Sequence, residues 1–283
     1  MLIISSRLNR LMIIFIVFAL VGCSSGGSTL KNTQTIDKLK IGDKVVDTSW
    51  EWEFLRGYGY TTFGQSVTQS VIWIVVAKNH YGPGITLMSE NVIAYYFFDG
   101  STLPSGLMAG QNHWGKSGST SNYGLRPWLN SVSPHEGDGF YSAFSPKFKG
   151  IVLTTAVPNK KYDDGSAYTT EDKVFIPSST ELGDLDHDSS FEIGTVYDYF
   201  VGKDRYAIEA GFPKQSVNES YWTRNPITTG YRAVGMVTDS SWFVNNFSDF
   251  NNVGVRPVIN VDKVTLVSDK ANKEGIYEIK FAK

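Results

Sequence analysis

In NVGVRPVINV (252–261) the apolar positions alternate. Val253, Val255, Pro257, Ile259 and Val261 share one face, which predicts a β-strand with one buried side. Arg256 sits in the middle of that strand, and Pro257 removes a backbone donor, which points to an edge or a bulge there. VIWIVVA (71–77) is continuously apolar and predicts a central strand covered on both faces. ITLMS (85–89) follows a YGPG turn, so the two read as a hairpin. Near the start, Trp50, Trp52 and Phe54 alternate with Glu51 and Glu53. YRAVGMVTDSSWFVNN (231–246) reads as a hairpin turning at Asp239–Ser241, and VTLVS and GIYEIKF close the chain as a strand pair.

Helical signals are short. LRPWLN (125–130) can open a helix, because Pro127 falls in a first turn whose N–H groups lack partners anyway. Ser145-Pro146 is an N-cap followed by a first-position proline. DKVFIPSSTEL (172–182) reads as a strand followed by a capping box, Ser178 to Glu181. STLPSGLMAGQNHWGKSGSTSNYG (101–124) is a long polar loop, and RGYGYTTFG (56–64) a glycine-aromatic turn. Together these predict an α+β fold, mostly antiparallel sheet with short helices.

The first 22 residues stand apart from that pattern. Arg7 and Arg10 form a basic start, and LMIIFIVFALV (11–21) is an uncharged apolar run of signal-peptide length, too short to span a bilayer as a helix. It ends in Leu20-Val21-Gly22-Cys23, which closely resembles the lipobox of bacterial lipoproteins. That resemblance implies cleavage before Cys23 and acylation of its thiol, palmitate included. The expected organisation is therefore a lipoprotein signal peptide over 1–22, a flexible Gly/Ser-rich tether over 23–38 and one globular domain over 39–283. Cys23 is the one cysteine, so a disulfide framework, a Cys-based zinc site and a cysteine nucleophile are all ruled out. Removing 1–22 takes away two arginines and no acid, so Lys+Arg falls from 26 to 24 against 28 Asp+Glu, for a net charge of −4. Without a basic stripe, nucleic acid is not an expected partner.

Seven segments fall in a familiar order: IW-I-V (72–75), ITLMS (85–89), LRPWLN (125–130), FYSAFS (140–145), DKVFIPS (172–178), YWTRNP (221–226) and GVRPVI (254–259). This order resembles a bacterial domain-of-unknown-function family typified by LR-x-WLN, YWLRSP and GVRP motifs on secreted or lipid-anchored proteins. Thr223 and Asn225 depart from the Leu and Ser of YWLRSP. The resemblance carries no activity and no catalytic residues. The C-terminal half is more weakly similar to the formylglycine-generating-enzyme branch of the C-type-lectin-like fold. That resemblance implies a scaffold only, since the catalytic members need a cysteine pair and this chain has no cysteine after Cys23.

Candidate chemistry is thin. GQNHWGKS (110–117) matches G-x-x-x-x-G-K-[ST], but neither a strand before it nor a helix after it is predicted, so a Gly/Ser loop is the better reading. Asp184, Asp186 and Asp188 have the spacing of a calcium loop, yet Ser189 replaces its turn glycine and Thr195 its bidentate Glu, so no metal is assigned. His80, His113, His135 and His187 show no ligand spacing, there is no GxSxG elbow, and no cofactor is expected. Glu51 and Glu53 share one face of one strand, whereas a glycosidase pair must flank a bond across a cleft.

Arg126, Arg224 and Arg256 lie inside the motifs. A guanidinium there could bind an anion, but within an apolar strand it is better read as a brace paired with carbonyls or an acid. Trp128, Trp222 and Pro257 join this structural set. For recognition, Trp242, Phe243, Asn245, Asn246, Phe247, Asp249, Phe250 and Asn251 combine aromatic faces with polar hydrogen-bonding groups, the chemistry of sugar and protein recognition alike. The expectation is an extracytoplasmic cell-envelope protein, anchored to membrane through Cys23, at the outer membrane if the host has one. Its domain binds a glycan or a surface protein without catalysis. An envelope hydrolase or modifying enzyme, and a purely structural envelope protein, are the alternatives.

Overall fold

The computed structural model describes residues 31–54, 67–96, 98, 114, 124–130, 139–161, 164–183, 192–202, 221–226, 232–236, 243–247 and 253–281. In chain order its strands are β1 (Thr33–Thr35), β2 (Lys44–Val46), β3 (Trp52–Phe54), β4 (Val67–Gln69), β5 (Ile72–Lys78), β6 (Ile85–Ser89), β7 (Ala94–Tyr95), β8 (Thr155–Lys160) and β9 (Ala167–Asp172). They continue as β10 (Tyr221–Pro226), β11 (Arg232–Met236), β12 (Phe243–Phe247), β13 (Gly254–Val255), β14 (Val258–Val261), β15 (Leu266–Ser268) and β16 (Ile276–Lys280). The helices α1 (Leu125–Asn130) and α2 (Pro146–Ile151) are each six residues long. The described fold is mostly β, with few and short helices.

Seven strands form one sheet in the order β1-β15-β16-β2-β5-β6-β14, and five form another in the order β12-β11-β10-β13-β7. Pairing is antiparallel except for β16 with β2 and β10 with β13. Strand β5 lies inside the larger sheet, and Trp73 through Ala77 are all buried, as a continuously apolar strand requires. Its hairpin with β6 turns through Asn79 and Gly82, both at positive φ. The fold begins earlier than the expected boundary at residue 39. Thr33–Thr35 pairs with Leu266–Ser268 and Ile36 is fully buried, so 33–38 is sheet and core, not tether.

The segment NVGVRPVINV is not one strand with one buried side. From Val253 to Val261 every residue is buried, and the run changes sheets partway. Gly254–Val255 pairs with β7 and β10, whereas Val258–Val261 pairs with β6. Arg256 and Pro257 form the crossover. Pro257 needs no donor there, and its carbonyl accepts from the Ser89 N–H at 2.9 Å. Aromatic rings pack between these elements. Trp50 and Trp73 meet Phe140, Phe144 and Phe148 at centroid distances of 4.7–6.4 Å. Ser145 caps α2 by accepting from the Phe148 N–H at 3.1 Å, which fixes Phe148 in that cluster.

Candidate functional site

Two of the three motif arginines, Arg224 and Arg256, are buried, and Arg126 is partly so. Arg224, on β10, is fully buried and directs all five guanidinium N–H groups to acceptors. Nε donates to the Pro158 carbonyl at 3.2 Å, and Nη1 to the Ile176 carbonyl at 2.7 Å and to Glu181 Oε2 at 2.6 Å. Nη2 donates to the Tyr81 hydroxyl at 2.9 Å and to Glu181 Oε1. Glu181 is also fully buried, and its Oε2 accepts further from the Ser178 N–H at 2.9 Å and the Tyr197 hydroxyl at 2.8 Å. Burial opposes the Arg224 charge, but the adjoining carboxylate outweighs it and raises the pKa, whereas burial beside Glu181 pushes the Tyr197 phenol well up.

The capping box therefore does something other than start a helix. Ser178 Oγ accepts from the Glu181 N–H at 3.1 Å, completing the reciprocal pair, but the chain then enters a turn. The box holds a carboxylate in place for an arginine 43 residues away. Gly194 lets the cluster close. Its φ is +78°, and a Cβ there would stand 2.7 Å from Glu181 Oε1 and 2.8 Å from the Tyr81 hydroxyl.

A second cluster centres on Asp172, at the end of β9. Its Oδ1 accepts from Arg126 Nε at 2.8 Å, and its Oδ2 from the Trp114 indole at 2.8 Å and the Thr170 hydroxyl at 2.6 Å. Trp114, inside the phosphate-loop-like GQNHWGKS, is thus a fully buried core residue. Asn130 ties α1 to the stretch after β9 by accepting from the Lys173 and Val174 N–H groups and donating to the Val174 carbonyl. Trp128 stacks on Tyr96 at 4.8 Å, and Trp222 donates its indole N–H to the Tyr96 carbonyl at 2.6 Å.

Arg256 is 5% exposed. Nη2 donates to the carbonyls of Ser89 at 2.7 Å and Glu90 at 3.0 Å, and the guanidinium carbon lies 5.1 Å from the centre of the Tyr221 ring. Burial lowers its pKa, opposed chiefly by Tyr221. The crossover between the two sheets is thereby tied to the end of β6 and to β10. Nη2 spends itself on main-chain carbonyls here.

Of the residues expected to bind a ligand, Phe243, Asn245, Asn246 and Phe247 lie on β12, paired with Met236, Val234, Ala233 and Arg232 respectively. They form a strand on the rim of the five-stranded sheet, antiparallel to β11. Trp242, Asp249, Phe250 and Asn251 lie outside the described residues, as do Cys23 and Asp184, Asp186 and Asp188. Among the described residues no three His, Cys, Asp or Glu side chains gather as a metal site. Sequence reasoning missed Glu181, Asp172, Tyr81 and Tyr197 as partners. The signal available was physical: a buried arginine demands a buried acid.

Residues 86–263 match a family described as a domain of unknown function, DUF6273, and the chain belongs to it. No curated protein and no solved structure matches the chain. The matched region runs from β6 to just past β14 and contains all three motif arginines.

Proposed function

We propose that this member of the DUF6273 family is a lipid-anchored cell-envelope protein whose domain recognises a glycan or a protein and performs no bond chemistry. One observation supports the non-catalytic part above all. The family region's most buried charges, Arg224 and Glu181, are directed at each other and at main-chain carbonyls, with no donor left for a substrate. A catalytic arginine must keep hydrogen-bonding capacity for the reacting group. Arg126, Trp128, Trp222, Arg224, Arg256 and Pro257 are accordingly braces. The lipobox at Cys23 supplies the anchor, and the export that goes with it places the domain beside glycans and surface proteins. A C-type-lectin-like scaffold, in which segments near the last strands carry recognition, is the finer fold reading, and it directs attention to Trp242 through Asn251.

Three experiments test this reading. Cys23→Ala should move the protein from the membrane fraction to the soluble one; continued sedimentation with membranes would end the lipoprotein assignment. Binding in a surface-protein pulldown should be lost on Trp242→Ala plus Asn246→Ala in a folded protein. Turnover of an envelope glycan or peptide by the purified protein would replace recognition with catalysis.

A further inference from the structure

A cleft of about 560 Å³ opens between the β5–β6 turn, the stretch after α2 and the end of β14. That volume lies in the range of small-molecule sites, roughly 300–1,000 Å³. Its wall includes Tyr81, Pro83, Thr155, Asn260, Asp262 and Lys263. In the β6–β14 register Asn260 stands directly opposite Thr86, so the two side chains share a face of the sheet. Asn260 Nδ2 donates to Thr155 Oγ1 at 3.1 Å, which joins two buried polar side chains of the cleft wall.

That pair is unfinished. Asn260 is 4% exposed and Thr86 1%, yet among the described residues neither Asn260 Oδ1 nor Thr86 Oγ1 has a hydrogen-bond partner. A buried polar atom without a partner is destabilising by about 1–3 kcal/mol, so its position in a sheet whose buried residues are mostly apolar calls for a reason. The chemistry of the atoms narrows what could complete them. Asn260 Oδ1 only accepts, whereas Thr155, already accepting from the amide, still has an O–H to donate. Neighbouring positions therefore ask for a donor and an acceptor. The wall carries one acid, Asp262, and one base, Lys263, so its charge selects neither anions nor cations. Tyr81 adds an aromatic side chain. Vicinal hydroxyls on an uncharged ring, each able to give and take a hydrogen bond, meet all of these demands.

We propose that this cleft is a saccharide-binding site, in which sugar hydroxyls satisfy Asn260 and Thr155. The proposal rests on the recognition reading above but moves the site from the 242–251 segment to the rim of the seven-stranded sheet. To test it, the full chain in detergent is titrated with chitotetraose, maltotetraose and cellotetraose by isothermal calorimetry. At least one should bind, and Asn260→Leu should weaken it tenfold or more without lowering Tm, because the substitution also removes an unsatisfied atom. Thr155→Val serves as the second variant and should weaken the same sugar. Trp242→Ala plus Asn246→Ala should leave it bound. Unchanged affinity in both cleft variants overturns the site; if the Trp242/Asn246 variant abolishes that binding instead, recognition stands and belongs elsewhere. If none of the three sugars binds, the saccharide cleft is wrong, and the recognition reading is then decided by the protein pulldown alone.

Discussion

Two regions share Tyr81 and treat polar groups in opposite ways. On its inner side, Tyr81 accepts from Arg224 in a cluster where guanidinium and carboxylate are matched donor for acceptor. On its outer side it walls a cleft where Asn260 keeps a buried oxygen with no partner among the described residues. Charge alone would have pointed the other way, since a buried arginine and glutamate look more like chemistry than an asparagine and a threonine. What separates the regions is completeness. A polar network with every atom satisfied fixes one conformation and has nothing to offer a ligand, whereas an incomplete one retains a capacity that something else can fill.

Substitutions sharpen this contrast, beginning with a glycine beside the ion pair. Gly194→Ala introduces strain of about 1–2 kcal/mol at positive φ and drives a methyl group into Glu181 and Tyr81. The total loss should reach about 3 kcal/mol or more once the ion pair is displaced, read as a drop in urea midpoint. Arg256→Ala should come next, at about 2 kcal/mol, because the Ser89 and Glu90 carbonyls lose their buried donor. Full stability combined with lost ligand binding would instead make Arg256 a ligand contact and blur the line between the regions.

The smallest effect is a pH dependence. His80 packs edge-on against Tyr81 and Tyr197, and burial holds its pKa below the ordinary value of 6.5, with Glu181 opposing. The unfolded chain therefore binds the proton more readily, and stability present above pH 6.5 is lost as pH falls towards the lower folded value. His80→Phe keeps a ring in place without a titrating group. Between pH 7 and roughly pH 5 its Tm should fall less than that of the wild type; equal falls would show that the imidazole is not coupled to the cluster.

Local physics was legible in the chain and long-range pairing was not. The apolar run 71–77, the YGPG turn and Ser145-Pro146 each specify their own geometry, and they produce β5, its hairpin and the cap on α2. Pro257 announced an interruption, but that the run then enters a different sheet depends on β6, β7 and β10, which no local pattern encodes. Thr33-Gln34-Thr35 has the composition of a stalk and becomes a strand only because Leu266–Ser268 lies beside it. Glu181 was visible as the far half of a capping box, while its principal partner lies 43 residues on. Asn260 gave no signal at all, since its meaning lies in what surrounds it across the sheet.

The central claim is that the buried charges of the motifs hold the fold together. Its most direct test is a double-mutant cycle on Arg224→Met and Glu181→Leu, measured by urea unfolding. Each single variant should lose about 3–5 kcal/mol by stranding its partner's charge in the core, and the double variant should lose no more than either single one. Single variants as stable as the wild type, or losses that simply add, would contradict the account.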